Sequence, residues 1–146
     1  STVTIGQLDE RVGAKLSTVA VVDTDGRAGQ LFSRALRQAL YVHGQASPAY
    51  DLTSSISVPS SSTLSVRGVT STFKKMSMVA NFTLTKQGGG DVLLRDAVTA
   101  DATLGTVSSL FGQDQSELHA RDRMATLLAQ RVAQRVQLYF LENAEN

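Results

Sequence analysis

The residues whose types and spacing best suit a chemical role are basic. Arg67, Lys74 and Lys75 cluster where a long predicted hairpin begins, and Lys86 lies at its turn. An arginine can hold a phosphate through two parallel hydrogen bonds, and a lysine adds a point charge. One interpretation is therefore a site for an anionic ligand. The other is a solvated strand edge whose charges discourage pairing with another molecule. The basic residues alone leave both interpretations open.

The other polar residues form no catalytic or metal-binding pattern. No carboxylate stands at a metal-ligand spacing from His43 or His119, the two histidines of the chain. Asp96 and Asp101 differ in strand parity, so they face opposite sides of a strand and make a poor acid–base pair. The run Gly88-Gly89-Gly90 precedes no predicted helix, which argues against a phosphate-binding loop. We therefore expect no enzyme activity, no catalytic residue, no metal and no cofactor.

Composition narrows the classes of partner. The net charge is +1 over 146 residues, and the chain has eight aromatic side chains, five Phe and three Tyr, with no Trp. Nucleic-acid binding is not indicated, because it usually needs a basic surface and, for single strands, a stacking platform. The chain has no cysteine, which excludes disulfides and thiol catalysis within it. No apolar run approaches the roughly 20 residues that span a bilayer.

The clearest structural pattern lies between Phe73 and Ala102 and predicts a long β-hairpin. Its first strand alternates apolar residues with polar ones; the apolar set is Met76, Met78, Ala80, Phe82 and Leu84. Side chains of a strand alternate between its two faces, so one face suits a core and the other suits water or a polar partner. The turn, residues 87–91, contains three glycines, which tolerate positive φ.

The remaining patterns predict two helices and further strands. Strands are expected at residues 17–23 and 50–58, with residues 63–66 able to resume extended structure, and helices at 27–43 and 116–140. The order is β-α-β-β-β-α. This order predicts the α+β class, a two-layer sandwich with two helices packed on one face of a mostly antiparallel four-stranded sheet. The side chains expected between the layers are Leu36, Leu40, Leu128 and Val132.

We expect residues 17–142 to form a single domain. Residues 1–16 carry only a weak polar pattern and are expected to be an N-terminal segment, and residues 143–146 a tail.

Several stretches, taken in order, resemble the lipopolysaccharide-assembly lipoprotein family LptE, also called RlpB, in its shorter alphaproteobacterial form. The family's strand, turn and helix correspond to residues 19–36, and the opening of its next strand to Tyr50-Asp51-Leu52. Arg67 and the alternating strand 76–84 follow. Last comes Phe111, ahead of a helix ending at Phe140. The resemblance covers residues 19–140, and the order and spacing of the stretches carry it.

The resemblance implies a function that the residue patterns do not. Members of the family are outer-membrane lipoproteins on the periplasmic face. They assist lipopolysaccharide transport by binding and plugging the β-barrel of LptD, and they bind lipopolysaccharide. By resemblance, Arg67 occupies a basic position of the ligand-contacting surface, and Gln113 stands where a second basic residue is expected. The lipid-bearing cysteine of the family is expected ahead of Ser1.

The expected lipopolysaccharide-binding residues are thus Arg67, Lys74 and Lys75. Lys74 and Lys75 are adjacent in a strand, so at most one of them can assist Arg67 directly. A second class of function stays open, an auxiliary periplasmic lipoprotein of an ABC-type lipid transport system. An enzyme would need a nucleophile–base pair, for which the sequence offers no candidate.

Overall fold

The computed structural model of the chain describes residues 4–57, 60–65, 72–105 and 110–144. Within these ranges it contains three helices and five strands. The elements in chain order are α1 (Ile5–Leu16), β1 (Val19–Val21), α2 (Gly26–Leu40), β2 (Tyr50–Ile56), β3 (Ser60–Ser65), β4 (Thr72–Lys86), β5 (Val92–Gly105) and α3 (Leu110–Glu142).

Strand β4 organises the sheet. It pairs antiparallel with β5 along nearly its whole length, from Phe73 opposite Gly105 to Thr85 opposite Val92. On its other side β2 and β3 lie one after the other, both antiparallel to it. Strand β1 adds to β2 in parallel, so the sheet is mixed and mostly antiparallel.

The predicted hairpin and its register are confirmed. Gly88 and Gly89 at the turn have φ values of 87° and 78°, in the left-handed region that glycine adopts without steric cost. The apolar set of β4 is buried, and Phe82 is only 2% exposed, whereas its neighbour Asn81 is exposed. The alternation of polarity along β4 therefore selected the face that turns toward the core.

The helices cover that same face. Leu36 and Leu40 of α2 and Leu128 and Val132 of α3 are buried in one core with the apolar side chains of β4. This confirms the α+β class and the two-layer arrangement. Strand β3 is a strand of its own, so the sheet has five strands where four were expected.

The structure also adds a helix, α1, that the sequence pattern did not predict. Its first turn is closed by a capping box, in which Thr4 and Gln7 exchange hydrogen bonds of 3.0 and 3.1 Å. Val12 and Leu16 are buried in the core, so α1 is attached by its apolar side. Helix α3 begins at Leu110, before the predicted start at Ser116, and extends to Glu142.

Candidate functional site

Lys74 is on the helix-covered side of the sheet and is already paired. Its Nζ lies 2.6 Å from Oε1 of Glu117 on α3, and both side chains are less than one-third exposed, at 29% and 17%. The Nε2 of Gln113 donates to the same Glu117 oxygen at 3.3 Å. The charge of Lys74 is therefore directed at a carboxylate of the chain and not at solvent.

The environment of Glu117 favours the ionised form of its carboxyl group. The hydrogen bond from Lys74 lowers the pKa of Glu117, and the bond from Gln113 lowers it further, although partial burial acts in the opposite direction. A carboxyl group held ionised in this way keeps the β4–α3 contact intact at neutral pH.

Lys75 is on the opposite side of the same strand. It is exposed, stands between Ser62 of β3 and Thr103 of β5 in register, and takes part in no ion pair of the described residues. The expectation that at most one of the two lysines could assist a ligand is consistent with this geometry. Arg67 lies outside the described residues, so its place relative to Lys75 stays a prediction.

The first turns of α3 lie at the same end of the hairpin as Lys74 and Lys75. Gln113, the position where the family resemblance led us to expect a basic residue, contacts the Lys74–Glu117 pair. A positive charge therefore does lie near position 113, but it is that of Lys74 on β4. Phe111 presents an aromatic ring that is 74% exposed. This end thus combines exposed positive charge with exposed apolar surface.

The uncovered face of the sheet is almost entirely polar, and we call it the open face. Its members on β2, β4 and β5 share one parity and are exposed or half-buried: Asp51, Thr53, Ser55, Lys75, Ser77, Val79, Asn81, Thr83, Thr85, Arg95, Ala97, Thr99, Asp101 and Thr103. Hydroxyl and amide side chains dominate this set. In the described parts of the chain, the helices all lie on the other face, so these groups are available to a partner.

The charges of the open face are few and nearly balanced. Lys75 and Arg95 are positive, and Asp51 and Asp101 are negative; Asp101 accepts a 2.6 Å hydrogen bond from the Oγ of Ser77. Asp96, the other acid of β5, lies on the helix side and binds Arg135 at 2.9 Å. The hydrogen bond from the Ala97 amide, followed by that from Arg135, lowers the pKa of Asp96. The two aspartates of β5 thus face opposite sides of the sheet, as their parity predicted.

The described ranges contain no metal-binding cluster and no membrane-spanning helix. There, no set of three histidine, cysteine or acidic side chains could hold a metal ion. The ring of His43 lies against Gly13 of α1, and the residue is exposed. Among the described helices, none has a stretch long and apolar enough to cross a membrane.

Sequence reasoning missed the partner of Lys74. Glu117 lies 43 positions away along the chain, and only the packing of α3 on β4 brings the two together. A signal was available for α1, because Leu8, Val12 and Leu16 recur at the four-residue spacing of one helix face.

Comparison with known proteins gives a family match over most of the chain. A family described as lipopolysaccharide-assembly, LptE, matches residues 16–136. No protein of curated function matches the chain in sequence.

Solved structures share the fold. A putative lipoprotein from Caulobacter crescentus CB15 is 17% identical and superposes with a TM-score of 0.71 over 90% of this chain and 96% of its own. A minor lipoprotein from Acinetobacter baumannii is 12% identical, with a TM-score of 0.57 over 88% and 96% of the two chains. The rare lipoprotein B from Shewanella oneidensis is 14% identical, with a TM-score of 0.53 over 87% and 94%. At such identities these structures establish the fold alone.

Proposed function

The chain belongs to the LptE family of lipopolysaccharide-assembly proteins, and from that premise we propose that it binds and plugs the β-barrel of an LptD-like protein and binds lipopolysaccharide. In this proposal it is anchored to the periplasmic face of the outer membrane by an N-terminal lipid. The role is one of binding and assembly, without catalysis. Membership supplies the broad function, and the structure supplies the surfaces through which it can operate.

The observation that carries the barrel proposal is the open face. The lumen of a large transmembrane barrel is polar, so a protein seated in it meets polar side chains and ordered water. The open face offers hydroxyl and amide groups such as Thr53, Asn81 and Thr83 with little net charge. Such a surface can exchange its hydrogen bonds with water for hydrogen bonds with the lumen, where its cations Lys75 and Arg95 need acidic or polar partners.

Lipopolysaccharide binding is proposed for the end of the hairpin that carries Lys75, where Arg67 is expected to contribute. The ligand brings phosphate groups and acyl chains, which match an exposed cation and an exposed ring. Lys75 is supported as a contributor because it is exposed and takes part in no ion pair of the described residues. Lys74 is the weaker candidate, because Glu117 holds its ammonium group at 2.6 Å. Phe111 adds apolar surface on the neighbouring helix.

The barrel proposal is tested by recovering the anchored protein from outer membranes with its partner. We expect wild type to bring down the barrel protein in near-stoichiometric amounts. The double variant Ser55→Arg with Ala97→Arg should recover much less, because two added charges flank Asn81 on the open face. A matched control, Thr126→Arg with Gln130→Arg, adds the same charge on exposed positions of α3 and should behave as wild type.

Two results would count against the proposal. One is undiminished recovery of the barrel by the open-face variant. The other is recovery of an inner-membrane transporter in place of the barrel, which would favour an auxiliary lipoprotein of an ABC-type lipid transport system.

A further inference from the structure

A recess lies at the opposite end of β4 from Lys74 and Lys75. It is an open cavity of about 440 Å³ lined by α1, the start of β2 and the end of α3. Tyr50, at this end, is paired with Lys86 of β4, and Lys75 lies 11 residues before Lys86 on the same strand. At the rise of a strand this separation is roughly 35 Å, so the two ends are distinct places.

The floor and walls of the cavity are apolar. They are formed by Val12, Ala14, Ala49, Tyr50, Phe140 and Ala144. The rings of Tyr50 and Phe140 meet edge to face with centroids 5.1 Å apart, which fixes one wall. Phe140 is itself only 5% exposed, and its ring also contacts that of Tyr139, with centroids 5.5 Å apart.

The two side-chain hydroxyl groups that line the cavity are already used within the protein. The hydroxyl of Thr18 donates to the Lys15 carbonyl at 2.7 Å. The hydroxyl of Tyr50 accepts from Nζ of Lys15 at 3.3 Å. A sugar or nucleotide needs several free hydrogen-bonding groups in its pocket, and this lining offers few. A hydrocarbon chain needs none, so it suits the lining better.

Two cations stand at the rim. Arg11 and Lys15 lie one turn apart on α1, and both are exposed and line the cavity. The Nζ of Lys15 also lies 5.8 Å from the Tyr50 ring centroid, a cation–π distance that holds it at the mouth. In the part of the chain that the structure describes, neither cation pairs with a carboxylate. The rim therefore carries two positive charges above an apolar floor.

We propose that this cavity binds the acyl chain of an anionic amphiphile, with the chain against Phe140 and the acidic head group at Arg11 and Lys15. The ligand class follows from the apolar lining together with the two cations at the mouth. The site is independent of the barrel-binding surface and of the basic cluster at the other end. A free fatty acid and the chain of an anionic phospholipid share this chemistry.

The first test uses the fluorescent fatty acid cis-parinaric acid with the folded protein. We expect saturable binding to wild type. Ala14→Phe places a ring in the mouth of the cavity and should abolish that binding. Ala97→Phe, at an exposed position of the open face, is the matched control and should bind as wild type does. Circular dichroism of each variant confirms that the fold is retained.

The second test concerns the cations. Arg11→Gln with Lys15→Gln should weaken fatty-acid binding by roughly three- to tenfold, the range for exposed ion pairs. Arg34→Gln with Arg123→Gln removes the same charge from exposed helical positions elsewhere and should have no effect. The methyl ester of the probe should bind wild type and the Arg11→Gln with Lys15→Gln variant equally, because it lacks the charge that the two cations would contact.

Vesicles separate the two sources of the ligand. If phosphatidylglycerol vesicles bind wild type but not Ala14→Phe, and phosphatidylcholine vesicles bind neither protein, this result would show that the acyl chain comes from a membrane lipid. Binding of the free acid without binding of vesicles would show that the ligand is a soluble fatty acid. The proposal is overturned if wild type binds neither the acid nor the vesicles, or if Ala14→Phe binds both as wild type does.

Discussion

The two faces of strand β4 have opposite characters although their residues alternate along one stretch of chain. On one side Met78, Ala80 and Phe82 are buried beneath α2 and α3. On the other side Ser77, Asn81 and Thr83 meet solvent or a partner. Even the adjacent lysines divide in this way, since Lys74 is paired with Glu117 and Lys75 is exposed. The difference teaches that one face maintains the fold and the other is left to recognise something outside it.

The sharpest way to test this division is to truncate one residue on each face. Phe82→Ala should lower the free energy of unfolding by about 3–5 kcal/mol, because the ring is 2% exposed and its loss leaves a cavity. Asn81→Ala, next to it on the open face, should change it by no more than about 0.5 kcal/mol. Urea unfolding of both variants measures the contrast. Similar losses for the two would show that the open face is also structural.

The next effect concerns ligand affinity. Arg67→Ala should weaken lipopolysaccharide binding by about ten- to a hundredfold, as expected for losing a charged hydrogen bond of roughly 1.5–3 kcal/mol. Unfolding should be unchanged. Binding of wild type should also weaken with added salt, because exposed ion pairs are screened. Equal affinity of the two proteins would make Arg67 a solvated edge charge.

On the helix-covered face of β4, the ion pair of Lys74 and Glu117 should make stability depend on pH. The pKa of Glu117 is lowered in the folded protein, chiefly by the hydrogen bond from Lys74. Its stabilising contribution is therefore fully present above the unfolded pKa of about 4.3 and is lost as the pH falls through the lower folded value.

Glu117→Gln should accordingly be less stable than wild type by about 1 kcal/mol at neutral pH. The gap should begin to shrink as the pH falls below the unfolded pKa of about 4.3 and should vanish once the pH is below the lower folded pKa of Glu117. Thermal unfolding of both proteins across this range measures it. A gap that does not change with pH would mean that the carboxylate charge contributes nothing.

The smallest expected effect separates the two lysines. Lys75→Ala should weaken lipopolysaccharide binding by roughly two- to fivefold without altering stability, the size expected for one exposed charge. Lys74→Ala should lower stability by about 1 kcal/mol and affect binding less. Titration of labelled lipopolysaccharide together with urea unfolding gives both values. The reverse pattern would place the ligand on the helix side of the hairpin.

Local patterns were enough to predict most of the architecture. The period of two along β4 identified the core face, and the glycines identified the turn. Helical spacing placed Leu36 and Val132 in the core. These features depend on residues that are close together in sequence, so they can be recognised in one amino-acid sequence.

Features that depend on packing between distant segments could not be predicted. The spacing of Leu8, Val12 and Leu16 could have predicted helix α1 itself, but its position depends on burial of Val12 and Leu16 against the rest of the core. The pairing of Lys74 with Glu117 and the cavity beside Phe140 both require the folded arrangement of elements. Arg67 was inferred from family resemblance, and its role stays a prediction.

The most direct test of the central claim is photocrosslinking in intact outer membranes from a single position on each surface. A photoreactive residue in place of Thr83 samples the open face, and one in place of Gln130 samples the exposed side of α3. If the open face is the recognition surface, Thr83 should crosslink efficiently to the barrel protein and Gln130 should do so weakly or not at all. Crosslinking of the barrel from Gln130 but not from Thr83 would contradict the account.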